Sequence, residues 1–307
     1  MWEVILDALI DSSIAAPFLL VIYLLIEFLE RNGRAKQRTV KLLNGKLAPL
    51  VAGGVGLVPQ CGFSVMATDL YCQNYLKMGT LIAFFIATSD EALPILLTNR
   101  NMYNGEGGAY VVLIVILVKI VYAVLLGYLI NLIDRRALAA DYKLNGEEGC
   151  CHHDVNEHHD HDGEDERPQS KVSKFWSFVK HPLLHTLKIF VYIFVINAVF
   201  GLFLYYFEQP IKDFTATLGF AQSFFTSLIG LVPNCASSVI ITGMYADGII
   251  DIAAMLAGLV SNSGIALAIL FKDRKHWRRN LVIVAILYGA GVVLGVSTYF
   301  ICGAIFA

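Results

Sequence analysis

Two copies of one apolar stretch decide the fold: GLVPQCGFSVMATDLYCQNYLKMGTLIAFFIATSDEALPILLTNR, from Gly56 to Arg100, and GLVPNCASSVIITGMYADGIIDIAAMLAGLVSNSGIALAILFKDR, from Gly230 to Arg274. They align without a gap at a separation of 174 positions, and roughly a third of the aligned residues are identical. Duplicated apolar segments are typical of secondary transporters, whose substrate site lies where the repeats meet near the bilayer midplane. The Pro-x-Cys element inside each copy therefore marks the first place to look for a site.

Composition places the chain in the membrane. Its residues are 57% hydrophobic and 16% charged, with a mean hydropathy of +0.63, whereas soluble domains are about 45–50% apolar and about 25% charged. The start, MWEVILD, lacks the basic region of a signal peptide, so we expect the first apolar segment to be retained. Basic residues sit in short loops beside predicted helix ends, which predicts the lipid bilayer as a partner and no nucleic acid.

The apolar runs predict an all-α integral membrane protein. Two apolar stretches, 47–73 and 217–247, are broken at Pro59 and Pro233 into arms of roughly 12–15 residues, too short to cross a bilayer alone. Each half is thus predicted to hold three spanning helices and one Pro-broken re-entrant helical hairpin, ten helical segments in all. The runs predicted as spans are about 14–30, 77–98, 109–133, 183–207, 249–271 and 280–306.

Loop charges predict the orientation of these segments. Loops 31–46 and 272–279 are rich in Lys and Arg and should be cytoplasmic, whereas loops 101–108 and 208–217 are poor in cations and should be external. These assignments agree if each broken stretch returns to its own side, which makes the second half an inverted copy of the first. Arms that each cross the membrane give the same inversion, so both versions stay open. Prolines that merely kink ordinary helices are the third interpretation.

The same reasoning divides the chain into three parts. Residues 1–133 form the first transmembrane repeat, 134–176 a cytoplasmic loop rich in His, Cys and acids, and 177–307 the second, inverted repeat. The protein is predicted to lie in the bacterial inner (cytoplasmic) membrane, with both termini on the external side. Irregular backbone at membrane depth is tolerated only where protein buries it or where it lines a water-filled cavity, so the two proline breaks predict a polar centre.

The hairpin tips are the first candidate substrate or metal site. A half-helix that starts after each proline points its N–H groups inward, unwound carbonyls offer the opposite polarity, and thiolates are soft ligands for metals or trivalent arsenic. The alternative is that both cysteines are small buried apolar residues. Besides Pro59 and Pro233, the candidate residues are Gln60, Cys61, Ser64, Asn234, Cys235, Ser237 and Ser238.

A second constellation lies in the run 77–98. Thr88, Ser89, Asp90 and Glu91 lie in its middle third. In the other copy they align with Asn262, Ser263, Gly264 and Ile265, so both acids are missing there. A charge at this depth costs at least about 2.5–3.5 kcal/mol, so it normally faces a cavity and has a function. Metal ligation and proton coupling both fit these acids, and neutralisation by Lys119 on the next span is the structural alternative.

Two further polar residues lie in apolar surroundings. Asp69, in the return arm of the first hairpin, is a weaker candidate. Asn197, deep in the run 183–207, is more typical of a hydrogen bond between helices than of a ligand.

The central loop is a third candidate. Its tract of thiols, imidazoles and carboxylates is typical of divalent-metal binding but lacks zinc-finger spacing, so no defined four-ligand site follows. A solvated acidic linker is the alternative. The candidate loop ligands are Cys150, Cys151, His152, His153, His158, His159 and His161.

With GLVPQCGFS, TSDEALPILL, HTLKIF and GLVPNCASSV in view, the chain resembles a family of bacterial ten-transmembrane heavy-metal exporters, also labelled arsenic efflux proteins or manganese transporters. The resemblance covers nearly the whole length, including the His/Cys-rich loop. It implies efflux of a metal or metalloid without fixing the ion. It also implies site roles for Pro59, Cys61, Ser89, Asp90, Glu91, Pro233, Asn234 and Cys235.

The favoured function is therefore alternating-access export of manganese, another divalent metal or arsenic. No Walker loop, nucleophile elbow or HExxH motif occurs, so we predict no enzyme activity and an ion gradient as the driving force. No obligatory cofactor is expected; the metal or metalloid is the substrate. The alternatives are export of a small anion bound at opposed half-helix N-termini, and a membrane metal sensor. The oligomeric state, monomer or homodimer, stays open.

Overall fold

A computed structural model describes residues 6, 9–10, 13, 17, 20–21, 45, 47–56, 61–72, 75–88, 92–93, 96, 107–138, 171–272 and 276–306. The protein is all-helical over these residues, as the sequence predicts, and no strand occurs among them. The helices are α1 (Ala48–Val55), α2 (Cys61–Cys72), α3 (Met78–Ala87), α4 (Gly107–Leu138), α5 (Lys171–Thr217), α6 (Gln222–Gly230), α7 (Ala236–Ala246), α8 (Ile252–Ser261), α9 (Ala266–Lys272) and α10 (Trp277–Phe306).

Four segments of the described chain are long and apolar enough to cross a membrane. Three of them, Val111–Ile133, Phe190–Thr217 and Trp277–Ala304, are only 22–33% buried inside the protein. The fourth, Ile252–Lys272, is 94% buried. Because exposed apolar side chains are stable against lipid, the first three lie at the periphery, and the pair α8–α9 forms the protein's centre.

The duplication in the sequence is also a duplication of helices. α3 spans Met78–Ala87 and α8 spans Ile252–Ser261, so both ends of the two helices are 174 positions apart. The residues that follow, Thr88 and Asn262, leave the helix with similar backbone angles, φ −58° and ψ 128° against φ −76° and ψ 118°. The two copies therefore form the same local structure.

The predicted break at Pro233 is confirmed. α6 ends at Gly230, α7 begins at Ala236, and the segment between them is not helical. Proline has no N–H for the helix ladder, and its ring disfavours helix in the residue before it. The corresponding Pro59 lies outside the described residues, between α1 and α2.

A second break differs from the prediction of uninterrupted spans over 77–98 and 249–271. The second run is still one apolar span by length, but α8 stops at Ser261 and α9 starts at Ala266. Gly264, at φ +56°, turns the chain between them, a conformation that glycine adopts without a Cβ clash. In the first copy α3 stops at Ala87, the equivalent position.

Small residues allow these short helices to pack closely. A Cβ on Gly230 would collide with the carbonyl oxygen of Gly258 and lie 2.5 Å from Ser261 Oγ, and one on Gly295 would lie 2.8 Å from Ser223 Oγ. Helices in membranes gain their packing energy from such small-residue contacts, because lipid leaves no hydrophobic drive between them. The glycines thus fix how α6, α8 and α10 fit together.

Candidate functional site

The tip of the second hairpin is held by the side chain of Asn234. Its Oδ1 accepts a hydrogen bond from the backbone N–H of Ala236 at 3.0 Å, and its Nδ2 donates to the carbonyl oxygen of Asn197 on α5 at 3.2 Å. Ser237 Oγ donates back to the Asn234 carbonyl at 2.7 Å. An Asn that bonds the backbone two residues ahead shapes a tight turn. Asn234 therefore positions the start of α7 against α5.

Cys235 brings the two halves of the chain together. It forms no disulfide bond and is only 2% exposed. It packs in one apolar cluster with Val65 of α2 and with Ile193, Ile265 and Ile269 of the second half. The same cluster would suit a purely structural buried cysteine. The cluster places this cysteine where the second hairpin tip, the break before α9 and the first hairpin meet.

Two other cysteines are described. Cys72, at the end of α2, is disulfide-bonded, and Cys302 on α10 is a free, partly exposed thiol. Neither belongs to the cluster around Cys235.

The break between α8 and α9 is a buried polar segment. Asn262 Oδ1 accepts a hydrogen bond from the N–H of Gly264 at 2.9 Å, which closes the turn. Asn262 is 6% exposed and Ser263 is 1% exposed. The predicted site residue Asn262 thus shapes the break, much as Asn234 shapes the hairpin tip.

Lys119 links the breaks of the two halves. Its side chain is 1% exposed, and its ammonium group donates to the carbonyl oxygen of Thr88 at 2.5 Å and to that of Leu259 at 3.0 Å. Thr88 caps the C-terminus of α3 and Leu259 lies in the last turn of α8, where carbonyls lack helical partners. Each helix C-terminus carries roughly half a negative charge, so the ammonium sits where a cation is stabilised.

The structure thus brings together part of the predicted set. Ser238, in the first turn of α7, and Ser64, in the first turn of α2, are both buried. Ser64 directly precedes Val65, which belongs to the Cys235 cluster. Ser238 Oγ donates to the Cys235 carbonyl at 2.7 Å. Of Cys61 only the helical backbone is described. The candidates outside the described residues are Pro59, Gln60, Ser89, Asp90, Glu91, Cys150, Cys151, His152, His153, His158, His159 and His161.

Only the structure shows the following features of three residues near this centre. Thr88 offers its carbonyl to Lys119, Asn197 offers its carbonyl to Asn234, and Ser263 is buried inside the second break. The aligned positions of Thr88 and Asn262 contained a signal for the paired breaks. Asn197 fits the predicted role of a hydrogen bond between helices. No pattern in the sequence indicates that Lys119 reaches Leu259.

Within the described residues, no group of three or more His, Cys, Asp and Glu side chains could hold a metal ion. The described part of the centre offers one thiol together with amide, hydroxyl and main-chain oxygens. Such donors bind a soft or borderline ion weakly unless a charged ligand joins them.

Comparison with known proteins gives one family. The chain matches the ArsP_2 family, described as a proposed 10TM heavy-metal exporter, over residues 1–185 and 151–302. No curated protein and no solved structure matches the chain. The two matched regions together cover nearly the whole length, and the broken, buried helices are those of a multi-pass membrane protein. This chain therefore belongs to the ArsP_2 family of proposed 10TM heavy-metal exporters.

Proposed function

We propose that this protein exports a metal or metalloid ion across the bacterial inner membrane by alternating access. The observation that carries the proposal is the meeting of both halves in the interior: Cys235 shares one buried apolar cluster with Val65, and Lys119 joins the carbonyls of Thr88 and Leu259. A transporter needs its cargo site at such a junction, because motion of one half against the other then exposes the site to each side in turn.

An inverted arrangement of the two hairpins is supported by contacts along α10. The guanidinium of Arg279, near its start, lies 4.9 Å from the ring centroid of Tyr71, at the end of α2. Gly295, sixteen residues further, faces Ser223 at the start of α6. With a rise of 1.5 Å per residue, these contacts are about 24 Å apart along α10. The two hairpins therefore approach α10 near opposite ends.

Each hairpin also returns to the end from which it starts. In the second, Gln222 at the start of α6 donates to the Ile249 carbonyl just after α7, at 3.2 Å. In the first, a Cβ on Gly127 would lie 3.0 Å from Pro49 Cβ at the start of α1 and 3.0 Å from the carbonyl oxygen of Gly79 at the start of α3. Because α2 ends only a few residues before α3, these contacts favour re-entrant hairpins over arms that each cross the membrane.

The proposed cargo ligands come from both halves. Cys235 contributes the thiol of the second half, and Cys61 with Asp90 or Glu91 would contribute the thiol and charge of the first. Thiols favour arsenic, whereas carboxylate and amide oxygens favour manganese, so these are the first two ions to test. The loop 134–176 would supply metal from the cytoplasmic side, and an ion gradient would drive export.

Elemental analysis of cells tests the proposal. Cells that express the chain and vector controls are loaded in parallel with Mn²⁺, Zn²⁺ or arsenite, and cell content is measured by mass spectrometry. We expect a selective fall in one element, reversed by Cys235→Ser to the vector level. Cys302→Ser is the matched control, because Cys302 likewise forms no disulfide bond but lies outside the Cys235 cluster.

Two outcomes contradict the proposal. No fall in any element would mean that the chain does not export these ions and would favour a sensor. A fall that survives Cys235→Ser and Cys61→Ser together would show that neither thiol is needed to bind the cargo and would overturn the proposed thiol ligands.

A further inference from the structure

In the part of the chain that the structure describes, four buried side-chain atoms have no hydrogen-bond partner: Asn131 Oδ1, Asn197 Oδ1, Ser227 Oγ and Ser263 Oγ. Buried polar groups are nearly always paired, since an unpaired one loses its hydration without replacement. Each such atom therefore needs an explanation.

Two of the four lie in tightly packed helix crossings. A Cβ on Gly291 would lie 2.8 Å from Ser227 Oγ, and one on Gly79 would lie 2.6 Å from Asn131 Oδ1. Asn131 also donates through Nδ2 to Thr80 Oγ1 at 3.3 Å. Ser227 is small enough for a close helix crossing, and Asn131 is held by the hydrogen bond of its Nδ2. Both residues therefore have a role in packing. They make suitable controls for the other two.

Asn197 lies beside the second hairpin tip. Its carbonyl oxygen accepts the hydrogen bond of Asn234, and Ile193, one turn earlier on α5, packs in the cluster that holds Cys235. Residues four apart lie on one face of a helix. The side chain of Asn197 is 4% exposed, so its unpaired Oδ1 lies inside the protein on the face that α5 turns to the tip.

Ser263 lies in the break that faces the same cluster. It sits between Asn262 and Gly264, whose side-chain-to-backbone hydrogen bond closes the turn, and it is 1% exposed. Ile265, two residues further, packs with Cys235. A buried hydroxyl without a described partner thus lies in a non-helical segment next to a residue of the Cys235 cluster.

From this arrangement we infer that Asn197 Oδ1 and Ser263 Oγ are two further oxygen ligands of the cargo, beside Cys235. The cargo is then an electron-pair acceptor, a cation or the hydrogen-bond-donating hydroxyls of a metalloid acid, which an amide oxygen and a hydroxyl both satisfy. The inference rests on the proposed export function. It says that, in the second half of the chain, the cargo is bound by uncharged oxygen atoms together with one thiol.

Binding to the purified full-length protein tests the inference. Wild type, Asn197→Leu, Ser263→Ala and the control Ser227→Ala are equilibrated by dialysis against Mn²⁺, Zn²⁺ or arsenite alone, and the bound element is counted by mass spectrometry. We expect Kd for the bound ion to rise about tenfold or more in each site variant, which corresponds to one lost ligand. Ser227→Ala should keep the wild-type Kd, although it removes the same unpaired hydroxyl.

Thermal stability separates a ligand from a structural role. Replacing an unpaired buried polar group by an apolar one should leave Tm unchanged or raise it. Where Asn197→Leu does not fold, Asn197→Ala, which only removes atoms, is measured in its place. An unchanged Kd in these variants, with binding and export intact in the wild type, would overturn the inference and leave the export proposal standing. Absence of both binding and export in the wild type would overturn the export proposal itself.

Discussion

Replacing Lys119 by Met tests whether the link between the two helix breaks is needed for transport. Methionine keeps most of the side-chain length but removes the charge and the hydrogen bonds to Thr88 and Leu259. Each charge-assisted hydrogen bond contributes about 1.5–3 kcal/mol, so the substitution removes about 3–6 kcal/mol of favourable interaction. It also removes the cost of burying an ammonium group, which is several kcal/mol.

These opposing effects nearly cancel, so we expect the free energy of unfolding to change by no more than about 2 kcal/mol. Export should nevertheless fall by about tenfold or more, because a loss of only about 1.4 kcal/mol in one state of the transport cycle changes a rate or an equilibrium tenfold. Stability is measured by size-exclusion chromatography after heating, and export by the loss of metal from preloaded cells.

Lys212→Met is the matched control. Lys212 is also engaged, with Glu208 at 3.1 Å and Asp247 at 3.4 Å, but its side chain is 19% exposed and it lies far along the chain from either break. Wild-type export by Lys119→Met would refute the reasoning. A Lys119→Met protein that folds only when Asp90→Asn or Glu91→Gln is added would show that Lys119 neutralises an acid, since an unpaired buried charge costs about 3–5 kcal/mol.

Three further predictions follow from the fold. Gly230→Ala should destabilise the protein by about 1–3 kcal/mol through overpacking, whereas Gly289→Ala, with open space around its Cα, should not; heated size-exclusion chromatography measures both. Single cysteines are placed at the exposed Leu47 or Asp247 in a cysteine-free background. A membrane-impermeant thiol reagent should label position 47 from the cytoplasmic side and position 247 from the external side. Labelling of both from the same side would refute the inverted hairpins. Deleting residues 150–166 should reduce export at low metal concentration, and an unchanged concentration dependence of export would show that the loop has no supply role.

The break at Pro233 could be predicted because its cause is local. Proline cannot complete the helix ladder, so the structure ends α6 before it and begins α7 after it. The break after Ser261 could not be predicted in the same way. The run 249–271 is mostly apolar, and isolated glycines such as its two, Gly258 and Gly264, are tolerated in many helices.

The candidate site was predictable in its residue types but not in its contacts. The repeated Pro-x-Cys element pointed to Cys235, and the aligned polar segments pointed to Asn262. That Cys235 and Val65 share one apolar cluster, however, depends on how the second hairpin tip packs against α2. The two lie in different halves of the chain. Contacts between residues so far apart in sequence leave no periodic pattern in either segment.

The sequence by itself determined that this is a duplicated, helical membrane protein with proline-broken segments, because hydropathy, repeat and proline act through local backbone chemistry. Only the tertiary structure decided that Lys119 holds the carbonyls of Thr88 and Leu259. It also decided that Asn197 Oδ1 and Ser263 Oγ are buried with no hydrogen-bond partner among the described residues. A buried ammonium or amide must find its stabilising group wherever packing puts one. The position of that group is a property of the packed helices and not of their individual sequences.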